Sequence, residues 1–180
     1  MKGQFGYGIT LFAEDEFYKN ILFEDNYGFE ISFKKSFSKS ISFDIKPKFG
    51  TEIIRVDEPY QARNTGIALG VELKPSDEFK LNFRMDQSKS IRFENDEVVY
   101  SDMIARARFE YQATTFLNFR LVAQYHRYYN TFDIQPLISY QPGPFSIFYF
   151  GTSRSYDTSF PGWEESYGQI YLKVQKLFSF

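Results

Sequence analysis

The chain has 180 residues, 21 Lys and Arg against 23 Asp and Glu for a net charge of −2, and no cysteine. This length is one domain, the charge balance offers no electrostatic footprint for nucleic acid, and the missing thiols exclude disulfides, thiolate metal sites and cysteine nucleophiles. No run approaches eighteen consecutive apolar residues, which excludes a transmembrane helix, and 22 Phe with 14 Tyr are far too many for a disordered chain.

Met1-Lys2 runs straight into Gly3-Gln4-Phe5, with no secretory leader, so an exported form is expected to be a mature chain or a piece of a longer one. Period-two alternation then recurs from end to end, the mark of strands with one apolar and one polar face. Phe5, Tyr7, Ile9 and Leu11 alternate with Gly6, Gly8 and Thr10. A polar stretch over 13–26 reads as a connection. Tyr27, Phe29, Ile31 and Phe33 follow, then a turn near 37–39, then Ile41, Phe43 and Ile45. Ile67, Leu69, Val71 and Leu73 lead into Pro75-Ser76-Asp77-Glu78, where Pro fixes φ and Ser and Asp can bond nearby backbone.

Phe79, Leu81, Phe83 and Met85 come next, then Met103, Ala105, Ala107, Phe109 and Tyr111. Past a turn at 113–115, Leu117, Phe119, Leu121, Ala123 and Tyr125 alternate with polar residues. Ile134, Pro136, Ile138 and Tyr140 precede the turn Gln141-Pro142-Gly143-Pro144, and Phe145, Ile147 and Tyr149 open the next strand. Pro47 and Pro136 interrupt strand runs and predict strand ends or bulges. The last stretch sets Ile170, Leu172, Val174, Phe178 and Phe180, with Lys176 as an irregularity, against Gln169, Tyr171, Lys173, Gln175, Leu177 and Ser179.

About ten strands result, each near the roughly 9–11 residues that a tilted strand needs to cross a bilayer. Turns near 37–39, 75–78, 113–115 and 141–144 are short. Segments near 13–26, 48–64, 88–99 and 155–165 predict longer loops, with 129–133 intermediate. Short turns on one side and long loops on the other are the asymmetry of an antiparallel up-and-down transmembrane β-barrel, so the expectation is one such domain over residues 1–180. Phe gathers near the short-turn ends (Phe5, Phe33, Phe79, Phe119, Phe145, Phe178, Phe180), and Tyr near the long-loop ends (Tyr27, Tyr100, Tyr125, Tyr128, Tyr129, Tyr156, Tyr167). Aromatic girdles at two interfaces have this layout. A soluble lipid-binding barrel would place the same apolar set inside, with 13–26 as a helical lid. The loop pattern, the small residues on the polar face and the aromatic carboxy terminus argue against it.

The terminal strand resembles the closing strand of bacterial outer-membrane barrels, whose last aromatic belongs to the signal read by the assembly machinery. The pattern polar-x-Gly-x-x-hydrophobic-x-aromatic falls on Lys173, Gln175, Phe178 and Phe180, with Gln175 in place of Gly. From Ile67 onward the chain further resembles Bacteroidota outer-membrane proteins of unknown function that join an amino-terminal carbohydrate-binding family 9-like domain to a carboxy-terminal barrel. The stretches that carry this are Leu69–Asp77, Arg106–Gln112, Phe119–Tyr125, Pro136–Gln141 and Tyr171–Val174. The resemblance implies a bacterial outer-membrane location, with membrane lipid and the barrel-assembly machinery as partners. It also implies a preceding domain and leaves open that residues 1–180 are the last strands of a wider barrel. It supplies no catalytic residues.

The polar face is expected to line a lumen, with Glu72, Arg84, Arg106, Arg108, Glu110, Arg120 and Lys173 as candidate solute contacts. Its Arg stripe (Arg84, Arg106, Arg108, Arg120) favours anions if the lumen is open, whereas interleaved ion pairs can also fill a barrel of this size. A pore or transport scaffold and a non-conducting anchor or interaction barrel therefore both stand. For an enzyme, His126, Asp133, Ser153 and Ser155 are the available acid–base and nucleophile types. No motif surrounds them, so no enzyme, metal or cofactor is expected. Trp163, alone in its loop, reads as an interface anchor.

Overall fold

A computed structural model describes residues 4–159 and 161–176. Met1, Lys2, Gly3, Phe160 and the terminal Leu177-Phe178-Ser179-Phe180 lie outside the described residues, and with them the aromatic part of the assembly signal. The chain forms ten antiparallel strands in one sheet with up-and-down order β1 to β10 and no helix among the described residues. The strands are β1 (Gln4–Tyr18), β2 (Ile21–Ser36), β3 (Ile41–Ile54), β4 (Tyr60–Leu73), β5 (Phe79–Arg92), β6 (Val98–Gln112), β7 (Leu117–His126), β8 (Thr131–Gly143), β9 (Ser146–Asp157) and β10 (Glu164–Lys176).

The predicted long connections are mostly strand. Residues 13–26 hold the ends of β1 and β2, which run 15 and 16 residues and meet at Lys19-Asn20. Both turn residues have positive φ, 49° and 64°, the type I′ requirement that matches the twist of a two-residue hairpin. Lys-Asn lacks the usual Asn-Gly signature, which hid the turn. Lys19 is held from outside, its Nζ donating to Val56 O at 3.0 Å. Likewise β3 and β4 occupy most of 48–64, β5 reaches Arg92, and β9 and β10 leave only 158–163 between them. The two prolines also differ from expectation. The β2–β3 ladder is interrupted between Glu30↔Lys48 and Phe33↔Ile45, around Pro47, and the β8–β9 ladder between Ile134↔Arg154 and Leu137↔Gly151, around Pro136. Neither register shifts there. A missing N–H has cost ladder bonds on one side without adding a bulge.

Contacts divide the chain into two compact units: Met1–Ser38, Ser42–Gly70 and Met85–Met103 in the first; Lys39–Ile41, Val71–Arg84 and Ile104–Phe180 in the second. In the first unit the apolar rows run Leu11↔Phe29↔Phe49 and Tyr7↔Phe33↔Ile45 across β1 to β3. The Phe29 and Phe49 rings stack at 5.2 Å. On the opposite face Phe12, Gly28 and Gly50 stand in register. The Phe12 ring lies where a Cβ on Gly28 would be, and a Cβ on Gly50 would collide with Tyr27 O. Two glycines thus make room for one aromatic ring and for close backbone approach.

In the second unit one apolar row crosses five strands as Tyr111↔Phe119↔Ile138↔Phe150↔Leu172, and a second as Leu117↔Tyr140↔Phe148↔Val174. This corrects the expected face of β9. Ile147 and Tyr149 stand opposite Gln175 and Lys173, and the apolar set is Phe148 and Phe150. The β8–β9 register shifts between Tyr140 and Gly143, and such a slip of one residue exchanges faces.

Burial is inverted relative to a globular core. Among the described residues the buried apolar side chains are Phe23, Ile53, Ala62 and Val122, and the buried polar ones are Asn26, Asn64, Ser90 and Asp102. Meanwhile Ile9, Leu11, Ile170 and Leu172 are 67–75% exposed, and exposed aromatic or aliphatic side chains occur on nearly every strand. A face this apolar and this uncovered is far beyond the patches a water-soluble monomer normally shows.

Candidate functional site

Two regions of the polar face concentrate chemistry, one in each unit. In the second unit Lys80, Asn82 and Arg84 of β5 and Arg106, Arg108 and Glu110 of β6 line a cavity of about 350 Å³. Strand geometry explains the clustering. Alternate residues share a face about 6.6–6.8 Å apart, and neighbouring strands lie about 4.8 Å apart, so two alternating charged stretches on adjacent strands must converge. Phe79 and Phe109, on the other face of the same two strands, meet edge to face at 4.5 Å and fix that pairing.

Ion pairs hold part of the wall. Arg108 Nη2 donates to Glu110 Oε1. Glu72 lies between Lys80 and Lys74, at 2.9 and 3.1 Å. Arg106 has no ion pair or side-chain hydrogen bond among the described residues. Arg120 faces Glu110 across the β6–β7 ladder, and its Nε is buried without a hydrogen-bond partner among the described residues. Of the sequence-predicted contacts, Arg84, Arg106, Arg108 and Glu110 therefore share one cavity. Glu72 touches it through Lys80, and Arg120 stands beside Glu110. Lys173 is elsewhere, with its ammonium 6.0 Å from the Tyr149 ring. Lys80 and Asn82 complete the wall; their place on the same alternating face was the signal for them.

In the first unit the polar face closes on itself. Asn64 Nδ2 donates to Glu52 Oε2 at 2.9 Å and contacts Ser88 Oγ and Ser90 Oγ at 3.1 Å. Ser90 Oγ donates to Glu52 Oε1. Ser90 is fully buried and Asn64 nearly so. Close by, Asn26 Nδ2 donates to Phe23 O, and Gln61 Nε2 donates to Asn26 Oδ1. Arg55 Nη2 contacts both carboxylate oxygens of Glu16 at 2.8 and 3.0 Å. This cluster was not foreseen, because its members fall in stretches that read as loops.

The groups considered for hydrolysis lie on β7, β8 and β9. His126 packs edge-on to Tyr129 at 4.6 Å, and Asp133 stands opposite Gln124 and Ser155. Among the described residues no three His, Asp or Glu side chains gather as a metal site. Trp163 packs on Phe132 at 5.0 Å. No protein-family model, curated protein or solved structure matches this chain.

Proposed function

We propose that this chain is an outer-membrane β-barrel domain, closed by its own ten strands or forming the carboxy-terminal part of a wider barrel, and that it acts as a pore or transport-type scaffold with an Arg-containing polar lumen. The observation that carries the reading is the inverted burial: apolar rows exposed on one face, and charged, hydrogen-bonded groups on the other. Only a solvent that is itself apolar makes the exposed rows favourable, and in lipid an antiparallel sheet must have every edge paired. Strand length agrees. Fourteen residues, as in β3 to β5, span about 35 Å along a normal tilted by about 40°, more than the roughly 25 Å apolar band of such barrels. The polar ends of the strands then extend past the lipid, which is why stretches that look like loops can be strand.

A non-conducting anchor is the second reading. The closed Glu52–Asn64–Ser88–Ser90 cluster and the Glu72–Lys80 pair favour it, since a lumen filled by satisfied side chains needs no solute. The test is to refold the chain in detergent, confirm a heat-modifiable compact band, and record planar-bilayer currents. Stepwise conductance with anions favoured over cations is expected. A compact, inserted protein that passes no current sinks the pore reading in favour of the anchor. Absence of the compact band despite β circular dichroism points to missing partner strands.

A further inference from the structure

We infer that the cavity between β5 and β6 is a binding site for a small phosphate-type oxyanion carrying two or more negative charges, such as an organic phosphate. The inference deepens the lumen reading and rests on it only in taking the polar face as water-facing. Four cationic side chains, Lys80, Arg84, Arg106 and Arg108, share the wall with one carboxylate, Glu110. Glu72 answers Lys80, and Glu110 answers Arg108.

Arg106 and Arg108 stand on the same face of one strand, two residues apart, so their guanidinium groups repel across about 6.6–6.8 Å of strand. Glu110 relieves Arg108, while nothing among the described residues relieves Arg106. Opposite Glu110 across the β6–β7 ladder, Arg120 brings one more guanidinium near the wall, its Nε buried with no hydrogen-bond partner among the described residues. A satisfied structural cluster looks different, as Glu52 with Asn64 and Ser90 demonstrates in the same protein.

The chemistry selects the ligand class. Guanidinium forks match the oxygens of phosphate and carboxylate bidentately, which a halide cannot exploit. The Asn82 amide supplies a neutral donor and acceptor for a hydroxyl or ester oxygen. A volume of about 350 Å³ is at the small end of ligand pockets and has room for a phosphorylated monosaccharide.

The test is calorimetric titration of the full chain, refolded in detergent, with pyrophosphate, glucose 6-phosphate and glucose at low salt. Saturable binding of both phosphates, weakened by added salt, and none of glucose is expected. R106Q should weaken pyrophosphate by about tenfold, the loss of one charge-assisted contact. E110Q should tighten it by about threefold, because it frees Arg108 and removes a like charge. Absence of saturable binding by the wild-type chain overturns the site, as does equal affinity in R106Q. If R106Q fails to fold, E110Q decides, and unchanged affinity there overturns the site too. A chain that binds phosphate yet carries no current loses the pore reading and keeps this one; a conducting chain that binds none loses only this one.

Discussion

The polar faces of the two units are built from the same alternation and reach opposite outcomes. In the first, short side chains bring Glu52, Asn64, Ser88 and Ser90 within hydrogen-bond reach, and the group buries itself. In the second, long cationic side chains stand around a cavity they do not fill. Side-chain length and charge balance make the difference. Small neutral partners can satisfy one carboxylate completely, while Glu110 pairs with Arg108 and Arg106 has no carboxylate partner among the described residues. The first arrangement is satisfied within the protein; the second is where we propose that an anion binds.

Breaking the first arrangement has the largest expected effect on stability. Glu52→Ala leaves the donors of Asn64 and Ser90 without their acceptor, and should cost about 2–4 kcal/mol, the penalty of stranding buried polar groups. Urea unfolding in detergent micelles, followed by Trp163 fluorescence, measures it; a loss below half a kcal/mol would mean that the cluster is not structural. Gly50→Ala comes next. Its new methyl meets Tyr27 O, a backbone atom that can move only with the ladder, so about 1–3 kcal/mol is expected from overpacking. Gly28→Ala is a useful contrast, since there the methyl meets the movable Phe12 ring first.

In the second unit the same measurement should hardly respond. Replacing Arg106 and Arg108 together by Gln removes mutual repulsion along with one surface-type ion pair, and the unfolding midpoint should shift by the equivalent of no more than about 0.5 kcal/mol. The ratio of anion to cation permeability should fall in the same variant, as read from the reversal potential in a salt gradient. A large loss of stability with unchanged selectivity would make the cavity wall structural after all and erase the contrast.

The smallest effect lies in the β4–β5 turn. A hydrogen bond from Ser76 and one from the Glu78 backbone hold the Glu78 carboxyl below the ordinary carboxylate range. A depressed pKa contributes stability that is present above the unfolded value and is lost as pH falls through the lower folded value. Ser76→Ala should move the Glu78 titration back toward the ordinary range, visible by carboxyl-carbon NMR, with no change in strand content. An unmoved titration would show that the backbone bond suffices.

Much of the fold was legible because alternation is a local property. A residue's face is set by its parity along the strand, so Phe29, Phe119 and Leu172, or Arg106 and Arg108, could be placed without knowing their neighbours. Parity is lost wherever a bulge or turn goes unrecognised. Thus β9 carries Phe148 and Phe150 on the apolar face, and Lys19-Asn20 closes a hairpin inside a stretch that read as a loop. Pro47 and Pro136 show the converse: a local rule predicted a break or bulge, and the register runs past both unshifted.

The site divides in the same way. By itself the sequence determined which side chains share the polar face, and so the Arg-rich character of that face. Only the tertiary structure decided which of them meet. Adjacency between strands depends on register and side-chain length, which no single strand encodes. Lys80, Asn82 and Arg84 come beside Arg106 and Arg108, while Lys173, equally charged and on the same kind of face, ends beside the Tyr149 ring. Whether a polar group is satisfied by the protein or left to a ligand is likewise a property of its neighbours, and neighbours across a sheet are what folding supplies.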